Sequence, residues 1–315
     1  MTTTLDLLNR HIRSAEDLAS VVRTMKTLAA VSIRQYEEAV ESLRDYRRNV
    51  EDGLRMLLWE SSMADSSNDE IGHTESDREL AVVFGSDQGM CGQFNQQIVT
   101  YVADHFSQLK SSDGIEGLSN AQVTPAIIAV GHRCAGLLEE AGFDVQTTLP
   151  GAGSAAAVTE CVQDLLNEID RLRRSNRAGR VVLYFSLRTT ATTTEPHRTG
   201  VLPVDLRKFA GHWNSLRQSR SLPLHTVPRS ELLSSLLREY LFVSLFRACT
   251  ESLSSENAAR IQSMQTAERN ITERLAELRS EFHQSRQTSI TEELLDIVSG
   301  FEVLKRRQSH SVEAS

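Results

Sequence analysis

Apolar positions recur every three and four residues at both ends of this chain and fall in short continuous runs between them. In the first stretch Leu5, Leu8, Ile12, Ala15, Ala19 and Val22 step by three and four. After one extra three-residue step, Met25, Ala29, Ser32, Tyr36, Ala39, Leu43, Tyr46 and Val50 continue the alternation. A period of about 3.5 residues is the seam of a coiled coil, and the extra step marks a local irregularity near Val22–Met25. Met1 to Asp52 contains neither proline nor glycine, and neither does Arg229 to Ser299. Ordinary helices average about 11–12 residues, so both stretches predict unusually long helices. At about 1.5 Å per residue the first is a rod of roughly 75 Å.

The second stretch carries its own stripe: Ile261, Met264, Ala267, Ile271, Leu275, Leu278 and Phe282. It lapses at Ser285, Arg286 and Ser289, then resumes at Ile290, Leu294, Ile297 and Phe301. A partner helix that ends partway along leaves such a lapse. Upstream, Leu232 to Phe246 is apolar around more of its circumference, which predicts burial on several sides against the middle of the chain. The simplest geometry is an antiparallel coiled coil within the chain, read as a shaft. The same periodicity also fits two amphipathic helices folded onto a domain.

Between the helices the pattern changes. Leu80–Phe84, Ala126–Val130, Phe143–Thr147, Val181–Leu187 and Val201–Leu206 read as strands. Thr189–Gly200 is a connection or a further strand. Gln93–Leu109, His132–Ala141 and Ser154–Arg173 read as helices. Strands and helices in alternation, with continuous apolar strands, predict a parallel sheet covered by helices. The expected fold is α/β: a long antiparallel coiled coil of the terminal helices plus a Rossmann-like parallel-sheet domain. The expected divisions are 1–60 for the first helix, 61–228 for the sheet domain, 229–308 for the second helix and 309–315 for a tail. Ser61–Arg78 reads as a flexible acidic loop, and Lys208–Arg229 as the return to the second helix.

Composition narrows the classes. The 315 residues carry a net charge of −8, which argues against a general nucleic-acid binder. The four cysteines, Cys91, Cys134, Cys161 and Cys249, form no CxxC pair and read as buried thiols of a reducing compartment. No apolar run reaches the roughly 20 residues that span a bilayer. The start of the chain has no secretory apolar region, so a cytoplasmic location is expected.

Chemistry is sparse. Gly85-Ser-Asp-Gln-Gly89-Met-Cys-Gly92 lies between a strand and a helix, where a nucleotide loop would sit, but its spacing is not GxGxxG and no GK[ST] follows. A tight strand-to-helix turn is the simpler reading. Pro150-Gly-Ala-Gly153 also fits no phosphate motif. The histidines make no HxxxH or HExxH pair for zinc, and Ser86 lacks a GxSxG elbow. An Asp87–Cys91 catalytic pair has little to support it. The residues require no enzyme and imply no cofactor or metal.

Three segments together resemble one family. Met25-Lys-Thr-Leu-Ala29-Ala30 with Arg34 is similar to the AMxMVAAxKxR region of the gamma subunit of F-type ATP synthases. Ser86–Gly92 resembles that family's SDRGLCG loop. Tyr240–Arg247, Glu251–Arg260 and Arg286–Gly300 match it nearly position by position, ending in ITxELxxIVSG. The resemblance is weak over 110–230. Ser20–Met25 replaces the family's KITKAM and keeps one cation as Arg23; Gly300-Phe301 stands for GA; Lys305–Ser315 runs past the usual end. These departures place the chain in a divergent branch.

The resemblance implies a central rotor stalk that couples rotation of the membrane c ring to ATP synthesis or hydrolysis at the beta subunits, with no active site of its own. It implies the alpha and beta subunits, the epsilon subunit and the c ring as partners, and no direct nucleotide binding. It implies a peripheral position on the cytoplasmic face of the cell membrane. Carried over by matched position, Met25, Glu256, Arg260, Gln287, Thr291 and Glu293 are expected to form the contact region with the beta subunits and within the coiled coil near it. Glu256 and Arg260 are four apart, so they can pair, and an exposed pair of that kind contributes only about 0.3–0.5 kcal/mol. Two other classes remain: a coiled-coil adaptor, which would dimerise freely, and an enzyme using the Gly85–Gly92 loop, which would bind nucleotide alone.

Overall fold

The computed structural model describes residues 2–62, 70–71, 78–112, 125–175, 179–190, 193–205 and 226–312. Most of the expected loop at 61–78, positions 208–225 of the expected return segment, the seam side chain at Phe301 and the last residues of the tail lie outside what is described. The chain divides into two compact units, one made of Met1–Thr27 with Met264–Ser315 and the other of Leu28–Ser263.

The sheet lies in the second unit. Its strands are β2 (Glu79–Phe84), β3 (Ala126–Val130), β4 (Val145–Leu149), β5 (Arg180–Arg188) and β6 (Thr194–Leu202), in the order β4-β3-β2-β5-β6. A separate two-residue ladder joins β1 (Glu70–Ile71), in the segment expected to be loop, to β7 (Val204–Asp205), in the expected strand Val201–Leu206. The helices here are α2 (Arg44–Ser62), α3 (Phe94–Ser112), α4 (His132–Glu140) and α5 (Val158–Arg174). The long helices α1 (Thr2–Ser42) and α6 (Arg229–Val312) each contribute to both units.

Alternation along the strands builds two cores. Leu80, Val82 and Phe84 of β2, with Ile128 of β3 and Leu183 of β5, face a cluster shared with α5, α6 and the Tyr36–Leu54 stretch of α1 and α2. The intervening Ala81, Val83, Ile127 and Tyr184 face α3 and α4. Sheet strands covered on both faces read as continuous apolar runs, which is why these segments showed little alternation in polarity.

One strand departs from the parallel expectation. β6 runs antiparallel to β5. The two are joined by only a few residues, closed by Thr189 N–H donating to Thr193 O at 3.0 Å. A link that short can join only antiparallel strands, because a parallel crossover needs a dozen residues or so. As the edge strand, β6 also tolerates Pro196, which has no N–H to give a ladder.

The helical seams follow the predicted positions closely. Val22, Ala29, Tyr36 and Val50 are buried, and the other predicted positions from Leu5 to Leu43 are buried or half-buried. Tyr46 is the exception: it is exposed and donates its hydroxyl to Glu239 at 2.6 Å. The extra step at Val22–Met25 leaves α1 unbroken. The backbone interruption comes at Leu43, where Leu43 N–H turns back to Val40 O at 3.2 Å before α2 begins. Within the second unit α2 and the start of α6 run antiparallel. Tyr46 meets Glu239, the Gly53 backbone lies against Leu236, and Arg229 donates to Leu57 O at 2.8 Å. The deepest part of α6 is Val243–Ala258, downstream of the expected Leu232–Phe246, whose first three turns are only half-buried.

Two glycines one turn apart should respond oppositely to alanine. Gly131 opens α4 at φ 104°, and a Cβ there would stand 2.7 Å from the Ser86 backbone. Gly136 lies inside α4 with nothing within 4 Å of its Cβ position. Gly136→Ala should stabilise by about 0.5–1 kcal/mol, and Gly131→Ala should destabilise by more than about 1 kcal/mol. Urea midpoints of the full-length chain check this; equal midpoints for the two variants would contradict it.

Candidate functional site

The reversal of strand order falls between β2 and β5: the chain leaves β2 for β3 on one side and returns to β5 on the other. The carboxyl ends of strands at such a reversal form the crevice where open α/β sheets bind ligands. Here α6 occupies that place. Ser252 Oγ donates to the carbonyl of Phe84, the last residue of β2, at 3.3 Å. Ser255 Oγ donates to the carbonyl of Ser186, near the end of β5, at 2.9 Å. Both serines are buried. Residues three apart lie on one helical face, so a single face of α6 caps both central strands.

The Gly85–Gly92 loop has a packing role. A Cβ on Gly85 would lie 2.2 Å from Cys134 Cβ, so the loop can pass α4 only without a side chain. Gly85 N–H donates to Val130 O at 2.8 Å, continuing the β2–β3 ladder past its last pair. Asn95 ties the turn from α3: its Oδ1 accepts from Ser86 N at 2.9 Å and its Nδ2 donates to Ser86 Oγ at 2.7 Å. Cys91 Sγ lies 3.5 Å from Ser86 Oγ and belongs to this same buried knot.

Asp87 turns away from Cys91. Its Oδ1 accepts from His132 N at 2.9 Å and faces the His132 ring Nδ1 at 2.9 Å; its Oδ2 accepts from Gly151 N at 2.8 Å. One carboxylate thus caps α4 and pins the turn after β4. The N-terminus of α4, where a phosphate would be drawn by the helix dipole, already holds a fixed negative charge. Burial pushes the Asp87 carboxyl up, but the hydrogen bonds from His132 and Gly151 outweigh it and leave it below the usual aspartate range.

Around Ser252 and Ser255 on α6 the buried polar run also includes Thr250, Ser254, Glu256 and Asn257. Thr250 and Asn257 satisfy themselves on carbonyls one turn back, at Phe246 and Leu253. Glu256 Oε1 meets Arg260 at 2.5 Å, with 10% and 17% of the two side chains exposed. Glu256 is buried and Arg260 half-buried, so the alternative of an ordinary exposed pair does not hold. Arg260 also donates to Asn257 Oδ1 at 3.2 Å. Burial pushes the Glu256 carboxyl upward against the opposing pull of Arg260. Buried Tyr36 is likewise pushed up, by burial first and then by the Glu256 charge.

The other expected site residues lie in the first unit. Met25 is half-buried in the seam, while Gln287, Thr291 and Glu293 are exposed on α6, with Thr291 Oγ1 donating to Gln287 O at 2.9 Å. The six residues thus fall into two groups in different units. In the first unit the helices run antiparallel. Arg23 and Lys26 pair with Glu268, and Arg279 pairs with Glu16 at 2.7 Å. Hydrogen bonding from Lys26 leads the causes that hold the Glu268 carboxyl below its ordinary value. This register brings the start of α1 alongside Ile290. From there on Ile290, Leu294, Leu295, Ile297 and Val298 are exposed, each 48–60%. Ser252, Ser255 and the Lys26–Glu268 pair escaped the sequence reading, which considered Asp87 only with Cys91 and not with His132 and Gly151. Two serines three apart on an otherwise buried face were the one available signal.

Helices paired antiparallel within each unit, and an α/β sheet whose strand-end crevice is filled by α6, define an α/β protein with long terminal helices. The comparisons agree. A family model described as ATP synthase matches residues 4–304. The ATP synthase gamma chain of Campylobacter concisus is 25% identical over 303 residues, covering 95% of this chain and 98% of that one. The gamma chain of Phocaeicola vulgatus is 29% identical over 296 residues, covering 92% and 96%. In fold the chain is similar to one from the rotor of Euglena gracilis mitochondrial ATP synthase, with a TM-score of 0.61, 16% identity and coverage of 92% and 100%. The chain belongs to the ATP synthase gamma chain family, whose members are central-stalk subunits. Among the described residues no helix is long and apolar enough to cross a membrane.

Two predictions follow, one from the exposed but hydrogen-bonded Asp87 carboxylate and one from the buried Glu256. The Asp87 carboxyl lies below its unfolded value, so its contribution is present above the unfolded pKa of about 3.9 and disappears as pH falls through the folded one. Asp87→Asn should therefore lower the unfolding midpoint at pH 7, and the gap to the parent should narrow as pH falls below about 3.9. For Glu256 the sign reverses. Its folded pKa is raised, so the parent should lose stability relative to Glu256→Gln as pH rises through that value. Arg260→Ala leaves an unpaired buried carboxylate and should cost toward the lower end of about 3–5 kcal/mol at pH 8, and less at pH 5. Equal losses in the glutamine and alanine variants would contradict this assignment.

Proposed function

We propose that this chain is the central rotor stalk of an F-type ATP synthase, coupling rotation of a membrane c ring to catalysis on beta subunits and so to ion translocation. The observation that carries the reading is the family match over residues 4–304. The helix pairing is consistent with it, since a stalk needs an antiparallel helical element and a rigid platform. In this reading residues 1–60 and 229–308 form the coiled coil, 61–228 the foot, and 309–315 a tail. The foot meets the epsilon subunit and the c ring, and the helices enter the ring of alpha and beta subunits. ATP chemistry belongs to the beta subunits, and the complex sits on the cytoplasmic face of the cell membrane.

Met25, Gln287, Thr291 and Glu293 then form contacts with the beta subunits, while Glu256 and Arg260 act at the joint between helix and sheet. The exposed setting of Gln287, Thr291 and Glu293 supports a partner at that level of α6. The polar joint at Ser252–Arg260 supports torque transmission, because hydrogen bonds fix the rotation of the helix where apolar packing alone would allow slip.

Reconstitution with the matching alpha and beta subunits tests the reading. Assembly and ATP hydrolysis that depend on this chain are expected; a chain that dimerises and ignores those subunits would favour an adaptor. Met25→Lys places a cation in a half-buried seam position. In the membrane-bound complex it should reduce ions pumped per ATP several-fold while assembly persists. Unchanged pumping per ATP would remove Met25 from the contact set.

A further inference from the structure

One tyrosine hydroxyl joins three elements on the face of the sheet away from α6. Tyr184 of β5 is wholly buried, and its Oη lies 2.9 Å from Glu79 Oε1, at the start of β2, and 2.7 Å from His105 Nδ1 of α3. The strand register brings them together. Glu79 pairs with Arg180 and Val83 with Tyr184, so Glu79 and Tyr184 point to the side that α3 and α4 cover. Around the trio stand Arg180 of β5, Arg198 of β6, which pairs with Tyr184, and Tyr101 of α3, whose ring meets Tyr184 edge-on. From α4 this core receives apolar side chains and Cys134, which stays a neutral thiol because burial pushes it up to about 12.

A phenol has one hydrogen to give. A Glu79 carboxylate can only accept, so it takes that hydrogen, and His105 must then donate Nδ1–H to Oη. Free histidine favours the other tautomer, with its hydrogen on Nε2, so the trio selects the less common form. One more proton fits in either of two places. On His105 Nε2 it leaves both bonds as they are. On Glu79 it reverses them: Glu79 donates to Oη, and Tyr184 donates to His105 Nδ1. The two forms interconvert when the Glu79 proton moves to Oη as the Tyr184 proton moves to Nδ1. Two O–H bonds break, one O–H and one N–H bond form, and the net charge is unchanged. A second proton sets two donors against Oη and leaves its own hydrogen without an acceptor, so the trio cannot close around it. Burial raises the Glu79 carboxyl, against the pull of Tyr184, Arg180 and Arg198, and burial with Arg198 lowers His105, so the two groups approach one another in proton affinity.

We propose that Glu79, Tyr184 and His105 are a one-proton latch that ties α3 to β2 and β5, holding a single shared proton while closed and opening on the second. The latch is independent of the rotor reading. Nuclear magnetic resonance of the full-length chain with labelled histidine and glutamate tests it, with His105→Gln and Glu79→Gln assigning the two signals. At alkaline pH His105 should carry its hydrogen on Nδ1. On acidification the His105 ring and the Glu79 carboxyl carbon should shift with one common midpoint. Tyr184→Phe keeps the ring and removes the hydroxyl; the hydrogen should return to Nε2 and the common midpoint should split into two. As the second proton enters the parent, amide hydrogen exchange in α3 should rise several-fold relative to α5. A parent with His105 protonated on Nε2 alone at alkaline pH, with two separate midpoints, or with α3 exchange that tracks α5 throughout would overturn the proposal. The tautomer and midpoints of the parent decide the question whether or not Tyr184→Phe folds.

Discussion

Two serine hydroxyls on one face of α6 bond the carbonyls that end β2 and β5, and much of the second unit is arranged around that contact. Strand-end carbonyls at the centre of a sheet must be hydrated, bound by a ligand or bonded by the protein. Leaving one buried and unsatisfied costs about 1–3 kcal/mol. Here the helix satisfies them and excludes solvent in the same step. Because the bonds are directional, they also fix the rotation of α6 about its axis. That setting decides which residues meet the sheet, and it brings Cys249 into the core cluster that also holds Tyr36 and the buried residues of α5. An apolar seam tolerates sliding and rotation far better than a face that must present particular hydroxyls to particular carbonyls.

The same contact explains why the fold carries a binding crevice without a recognisable binding site. The Gly85–Gly92 loop, the start of α4 and the turn after β4 converge as they would around a phosphate. Yet the glycines serve close packing against Cys134 and Ser86, and the Asp87 carboxylate holds the anion position. The crevice of this α/β sheet is thus filled by packing and hydrogen bonds from the chain itself. Glu256 and Arg260 extend this packing with a largely buried ion pair, which costs desolvation but restricts the geometries the joint can adopt.

Much of this was legible in the residues. The seams at Leu5–Val50 and Ile261–Phe282 were readable because each position reports its own burial through a 3.5-residue period. The strands at Leu80–Phe84 and Ala126–Val130 were readable because burial on both faces makes them uniformly apolar. What was not legible depended on contacts between distant segments. β6 is polar and carries a proline and a glycine, so only its short link to β5 reveals that it is an antiparallel strand. The buried stretch of α6 was placed too early because it is rich in serine, threonine and asparagine, which look solvated until the strand ends they cap are known. The burial of Glu256 with Arg260 was hidden for the same reason: four-residue spacing shows that a pair can form, not that the rest of the unit covers it.

The central claim is that this chain turns as a stalk and transmits rotation through the α6–sheet joint. It is tested most directly by assembling the chain with its alpha and beta subunits on a surface, attaching a bead to a biotin tag on the sheet-bearing unit, and adding ATP. The account predicts sustained one-way rotation of the bead that stops when ATP is removed. A complex that hydrolyses ATP at its full rate while the bead only diffuses about a fixed angle would contradict it.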